Sequence, residues 1–409
     1  MPESQSSVDC GAGTIRGRYA APANYSENAM SEEAPKVDIH RGLSGVYFDR
    51  SRLCSIDGRA GELSYRGYSI HDLAERSTFE ETCYLLLHGE LPAAAQLAAF
   101  DGELKRERAL PAFAYDIIRA IARAHPMEVL RTVVSALGAA DPEVADKSAA
   151  ATLRKGIRLT SQVPMIVAAH EHLRNGREPV APDPKLGHAV NFLHMLTGRM
   201  PSASTARLMD VDMILHAEHG SNASTFAARV VAGTDANLHA AITAAIAALS
   251  GPAHGGAAEN VMRMAQQIGA ASRAADYVKE TRAKKEPVMG FGHRVYRSED
   301  PRARHMRAGV EQLSREMGQP HWYQILAALV EAMKPYARHG VNVNVDFYAG
   351  VVYYLNGIVE DLFVPIFAVG RVPGWTAHVM EQMDNNILIR PLTLYNGPPP
   401  RAYVAIGDR

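Results

Sequence analysis

Apolar positions recur at spacings of three and four along much of the chain, the mark of helices with one buried stripe. Residues 79–87 (FEETCYLLL), 115–124 and 127–137 carry the pattern. Pro126 stands just ahead of the last of these, in a first turn, where proline forfeits no hydrogen bond. Residues 186–196 (LGHAVNFLHML) and 206–215 (ARLMDVDMIL) read the same way. Residues 240–249 (AAITAAIAAL) are small or aliphatic almost throughout. A helix of that kind can be covered on several sides, so it is expected deep in the core, and Ser250-Gly251-Pro252 ends it. Strand signals are few. Residues 44–48, 51–56 and 62–65 suit small hairpins around Asp57-Gly58. One segment conflicts with the rest: residues 341–347 (VNVNVDF) alternate apolar and polar, which taken alone predicts a strand. The pattern as a whole predicts a mainly α fold.

Composition narrows the class without choosing a chemistry. A length of 409 residues favours two structural units over one. Apolar residues make up 47% and charged residues 21%, as in ordinary globular proteins. The formal net charge of -1 gives no pull toward nucleic acid or acidic membranes, so any anion must be held by a local cluster. Cys10, Cys54 and Cys83 form no CxxC pair, which speaks against a disulfide framework or a cysteine zinc site. No membrane span is expected, since residues 240–249 are about half the length a bilayer needs. Residues 1–35 are rich in Ser, Ala, Gly and Asn with no apolar period, and predict a disordered extension. They hold no convincing targeting segment, which favours a cytoplasmic location.

Four places could carry chemistry. Residues 251–257 (GPAHGGA) set His254 in a glycine-rich turn, where backbone can approach a ligand closely; a plain interhelical turn fits equally well. Residues 289–296 (MGFGHRVY) put His293 after two glycines, with Arg294, Arg297, Arg302, Arg304 and Arg307 close by. Such a cluster suits a phosphate or carboxylate, though a solvated charged loop is the plainer reading for most of its members. Residues 342–350 (NVNVDFYAG) hold Asp346 among apolar and aromatic neighbours, which suits a base with a raised pKa or a simple helix cap. Residues 216–226 (HAEHGSNASTF) place His216 and His219 three apart, on one face if the helix continues. They could form half of a metal site, but the HEXXH spacing is absent and no second cluster completes it.

Taken in order, these strings resemble the citrate synthase family, from about residue 39 to 398. RGLSGV, LSYRGYSIHDLA and HPMEVLRTVVSALG are similar to its opening and middle. HAEHGSNAST, GPAHGGA, PVMGFGHRVY with DPR, and NVDFYAG are similar to its active-site segments, and FVPIFAVGRVPGWTAHVMEQ and NNILIRP to its end. The resemblance implies a large helical domain (residues 36–256 and 357–409) and a smaller one (residues 257–356), with a cleft between them. It implies a homodimer and no metal or redox cofactor, acetyl-CoA and oxaloacetate being substrates. It also implies that residues 341–347 belong to a helical domain, so that their alternation misleads.

Position by position, His254 matches the histidine that hydrogen-bonds the thioester oxygen. His293 matches the one that polarises the ketone, and Asp346 the base that takes a methyl proton. His219, Arg302 and Arg371 match groups that hold the oxaloacetate carboxylates, and Arg390 the arginine that reaches over from the partner subunit. Gly255, Met289, Gly290 and Gly292 would hold CoA largely by backbone, with Arg297 toward its phosphates. The chain departs from the pattern at Leu392, where many relatives carry a basic residue after Arg-Pro. Two rivals share the pattern: a 2-methylcitrate synthase taking propionyl-CoA, and a catalytically silent CoA-binding paralogue. A hydrolase with a metal at His216 and His219 is a third.

Overall fold

A computed structural model describes residues 38–43 and 45–409. The expected disorder of residues 1–35 falls outside the described residues, as does Cys10. Up to Arg50 the described residues hold one 3-10 turn, Arg41–Leu43, and no strand.

From Ser51 onward the chain opens with a three-stranded antiparallel sheet, β1 (Cys54–Asp57), β2 (Glu62–Tyr65) and β3 (Tyr68–Ser69). Asp57 begins the turn after β1, its carboxylate accepting the amides of Arg59 and Ala60. Helices follow almost without interruption: α1 (Ile70–Arg76), α2 (Phe79–His88), α3 (Ala94–Arg106), α4 (Ala112–Ala120), α5 (Pro126–Ala140), α6 (Ala149–Arg174), α7 (His188–Thr197), α8 (Ala203–His216), α9 (Ala223–Gly233) and α10 (Leu238–Leu249). After a turn at residues 250–256 come α11 (Ala257–Ile268), α12 (Ala274–Ala283), α13 (Ala303–Glu316), α14 (His321–Ala337), α15 (Asp346–Leu355) and α16 (Phe363–Asp384).

The caps explain the boundaries. Thr78, Ser148, Ser202, Asn222 and Asn237 each accept an amide of the first turn, as N-caps do. His125 does the same through its ring, with Pro126 opening α5. Gly89, Gly198 and Gly269 close helices in the left-handed conformation.

The core lies where α6, α8, α9 and α10 surround α16. The approach is close enough to dictate sequence: a Cβ on Gly374 of α16 would lie 2.1 Å from the carbonyl oxygen of Ala217. Helix α10 is buried as its composition predicts, with Ala241, Ile242, Ala245, Ile246 and Leu249 fully covered. Helices α11 to α15 pack chiefly on one another, and meet the rest mainly through α13 on α8 and α11 on α16.

Two local expectations are corrected. His216 and His219 do not share a helix face, because α8 stops at His216. Glu218 ends it: its buried carboxylate accepts the Gly220 amide and the His378 ring, while Tyr65 donates its hydroxyl to the Glu218 carbonyl at 2.8 Å. The strand that the alternation of residues 341–347 predicts taken alone is also absent. Val343 forms an antiparallel bridge with Phe291, and helix begins only at Asp346. Among the described residues no helix is long and apolar enough to cross a membrane.

Candidate active site

Helix α16 organises the site along one face. Arg371, Trp375 and His378 follow at spacings of four and three, so they project together. Arg371 donates through Nε to the His216 carbonyl, Trp375 through Nε1 to Ser224 Oγ at 3.1 Å, and His378 pairs with Glu218 at 2.9 Å. One helix face therefore holds the whole segment from His216 to Ser224, with His219 in its middle.

His219 is buried, and its Nε2 lies 3.0 Å from the hydroxyl of Tyr296. Its ring meets that of His293 edge to face at 5.1 Å. Burial holds His219 well below the usual imidazole range, and Arg302, His293 and Arg371 add to the effect. Two arginines thus converge electrostatically on one neutral imidazole.

The arginines are held differently. Arg302 makes a two-pronged pair with Asp300, 2.9 Å from Nε and 2.7 Å from Nη2. Burial alone would push the Asp300 carboxyl up, but Arg302 outweighs it and keeps Asp300 below the usual range. Arg371 is 1% exposed, lies 4.6 Å over the Phe367 ring, and has no carboxylate at ion-pair distance among the described residues. Burial lowers its pKa to about 10. The buried carboxylate of Glu218 offsets this only in part, so the guanidinium is suited to a further anion.

His293 and His254 are both neutral, for a reason the geometry states. The amides of Val295 and Tyr296 donate to His293 Nδ1 at 3.0 and 3.3 Å. That nitrogen must offer a lone pair, so the ring proton is on Nε2. The Ser224 amide meets His254 Nε2 at 3.3 Å, and Ser224 Oγ, which donates to Asn222 Oδ1 at 2.7 Å, stands 2.9 Å from the same nitrogen. Burial pushes both rings down to about 4 (Arg371 adding to it at His254, Arg302 at His293), so neither is charged near neutrality.

Asp346, the first residue of α15, is half-buried. Burial pushes its carboxyl up, His216 and Arg302 pull the other way, and Asp300 and Asp212 add to the rise. Its distance from His293 in the chain is bridged by backbone: Gly292 donates to the Asn342 carbonyl at 2.7 Å, and Asn344 to Gly290 at 3.0 Å.

The structure therefore draws His219, His254, His293, Arg302, Arg371 and Asp346 into one electrostatic neighbourhood. Arg390 lies apart, exposed on the C-terminal segment with no hydrogen bond or ion pair among the described residues. Met289 is half-buried, and Arg297 is exposed. Gly290 and Gly292 have φ of 78° and 89°, and nothing stands within 4 Å of where a Gly292 Cβ would be. Packing alone accounts for Gly255, whose Cβ would meet the Leu249 carbonyl at 2.3 Å. Sequence reasoning missed the supports: Ser224, Trp375, Tyr296 and Glu218. Only the Asn222-Ala-Ser-Thr cap gave a legible signal. Among the described residues no three His, Cys, Asp or Glu side chains gather as a metal site would need.

A neutral pair of donor histidines beside an anion pocket and a raised carboxylate is the equipment of carbon–carbon condensation. A sequence description of a family, "Citrate synthase, C-terminal domain", matches residues 42–392. The chain is 43% identical over 374 residues to a citrate synthase of Deinococcus radiodurans, covering 91% of this chain and 99% of that one. It is 42% identical over 388 residues to a 2-methylcitrate synthase of Mycobacterium tuberculosis, covering 92% and 96%. Its fold matches a citrate synthase of Thermoplasma acidophilum, solved as a ternary complex with carboxymethyl coenzyme A and oxaloacetate, with a TM-score of 0.86, 30% identity, and 91% and 100% coverage. The chain belongs to the citrate synthase family, and with it to the condensing acyltransferases.

Proposed function

We propose that this enzyme joins the methyl carbon of acetyl-CoA to the ketone carbon of oxaloacetate, then hydrolyses the citryl-CoA thioester to citrate and CoA. The observation that carries this reading is that two neutral histidines, His254 and His293, share one neighbourhood with the raised carboxyl of Asp346 and the buried Arg302 and Arg371. A thioester methyl group is a very weak acid, so its proton leaves only if the oxygen gaining charge is stabilised at the same moment. In this reading Asp346 takes that proton while the His254 imidazole donates to the thioester oxygen. The enol carbon attacks the ketone, and His293 donates from Nε2 to the oxygen that becomes the alkoxide. Water then cleaves the thioester, releasing CoA.

Oxaloacetate is a dianion. Arg302 and Arg371, with His219 between them, are suited to its carboxylates, and Arg390 would reach it from the partner of a homodimer. Arginine forks also fix orientation, which lowers the entropic part of the barrier. CoA would lie along Gly255, Met289, Gly290 and Gly292, with Arg297 toward its phosphates. The preference of α11 to α15 for one another supports a smaller domain at residues 257–356 that closes on the rest and keeps water from acetyl-CoA. The ligands named for the Thermoplasma acidophilum complex support the substrate pair.

Relatives of comparable identity carry either name, citrate synthase or 2-methylcitrate synthase, so the acyl chain is the point to test. One extra methylene shifts discrimination by about 1–3 kcal/mol. Purified protein is given oxaloacetate with acetyl-CoA or propionyl-CoA, and CoA release is followed. A higher kcat/KM for acetyl-CoA is expected. A propionyl-CoA preference would move the enzyme to methylcitrate synthesis, and silence with both would make it a CoA-binding paralogue.

A further inference from the structure

One buried carboxylate has no task in that scheme. Asp212, on α8, is 1% exposed. Its Oδ2 accepts the Tyr353 hydroxyl at 2.5 Å. Its Oδ1 lies 3.2 Å from His216 Nδ1 but takes no hydrogen bond among the described residues, because that N–H donates to the Asp212 carbonyl instead, at 2.9 Å. Burying a carboxylate with so few donors is costly, and an apolar residue would pack there more cheaply. The position therefore calls for an explanation beyond packing.

Its two partners supply one. Tyr353 follows Asp346 by seven residues on α15, about two helical turns, so the two share a face. The carboxylate on α8 thus holds the face of α15 that carries Asp346. His216 is the second partner. Its ring packs edge-on against Phe367 at 4.7 Å, and its carbonyl receives Arg371. The charged and titratable groups acting on Asp346 are His216 and Asp212 from α8, with Arg302 and Asp300 from the segment before α13. Tyr353 adjoins Asp212 from α15 itself.

We propose that Asp212 is a positioning residue for Asp346, fixing through Tyr353 the helix that carries the base and through His216 the imidazole beside it. The proposal rests on Asp346 being the base of the condensation. Asp212 is among the groups that raise the Asp346 carboxyl. Removing its charge therefore lets Asp346 ionise at lower pH, and leaves a weaker base on a looser helix.

The test uses full-length Asp212→Asn and Tyr353→Phe, with kcat, both KM values, the pH profile of kcat and the melting temperature. Loss of position should lower kcat by about tenfold to a hundredfold in each, with the oxaloacetate KM within about twofold of wild type. The acid limb should move to lower pH in Asp212→Asn and stay in place in Tyr353→Phe, which keeps the charge. Unchanged kcat and pH profile in both variants, with only a lower melting temperature, would overturn the proposal. Should Asp212→Asn fail to fold, Tyr353→Phe decides by its kcat alone. Wild-type protein that condenses neither thioester would overturn the base assignment and this proposal together; active wild type with unaffected variants overturns only the proposal.

Discussion

His254 and His293 look alike in the sequence, each a histidine in a glycine-bearing turn, yet the chain meets them at opposite nitrogens, Nε2 of His254 and Nδ1 of His293. The difference comes from backbone amides: that of Ser224 in one case, those of Val295 and Tyr296 in the other. Spacing marked both histidines as candidates but could not reveal which nitrogen is met, because the Ser224 amide lies 30 positions away. The same holds for the arginines. Nothing in the string DPR tells that Arg302 is already forked to Asp300, or that Arg371 lacks a carboxylate. The roles can be separated experimentally. If the proposed roles hold, Asp346→Ala should abolish condensation yet leave oxaloacetate binding, followed by titration calorimetry, within about twofold, since among the described residues Asp346 forms no hydrogen bond or ion pair with Arg302 or Arg371. Turnover at the wild-type rate would remove Asp346 as the base.

At the scale of elements, helices were the legible part, because their apolar periods are long and their caps conventional. Residues 79–87, 127–137 and 240–249 sit inside α2, α5 and α10 to within three residues at each end. The failures are short segments ruled by tertiary contacts. A bridge of one residue pair, Val343 with Phe291, is too small for a strand pattern to be separated from chance, yet it sets the distance between the His293 loop and Asp346. The end of α8 depended on Glu218 meeting His378, 160 positions on. The face of α16 that holds residues 216–224 makes its own prediction. Gly374→Ala would drive a Cβ into the Ala217 carbonyl, so the chain must move beside His219. A loss of about 1–3 kcal/mol in denaturant unfolding is expected, with a raised oxaloacetate KM. An unchanged KM would show that the segment gives way without moving His219.

For the whole molecule, the family and the order of its segments were readable because many short strings agree over residues 42–392. The proposed dimer was readable only by resemblance, since the contacts that would place Arg390 are not made within one chain. The exposed C-terminal stretch, with Ile387, Leu388, Leu392 and Leu394 all more than half exposed, suits a partner surface. Stability against acid follows from the chain itself. Burial lowers His188 to about 3, and His239, His254, His293 and His305 to about 4. Unfolded histidines titrate near 6.5. The folded state therefore binds fewer protons below that pH, so stability is full above about 6.5 and falls as pH drops toward 4. Melting temperatures taken in steps across this window should decline steadily. A flat profile would mean that these rings are not buried as neutral groups.

Arg371 has one more consequence. Its charge is nearly fully buried and no side chain of the described residues neutralises it at close range. If Arg371 holds oxaloacetate as proposed, a small dissolved anion can take the same place while the substrate is away, beside the more distant charge of Glu218. Substrate entry is then an exchange, one anion for another, and buffer ions compete for the same berth. The apparent affinity for oxaloacetate becomes a property of the medium as much as of the protein, set by how much chloride or phosphate the solution holds.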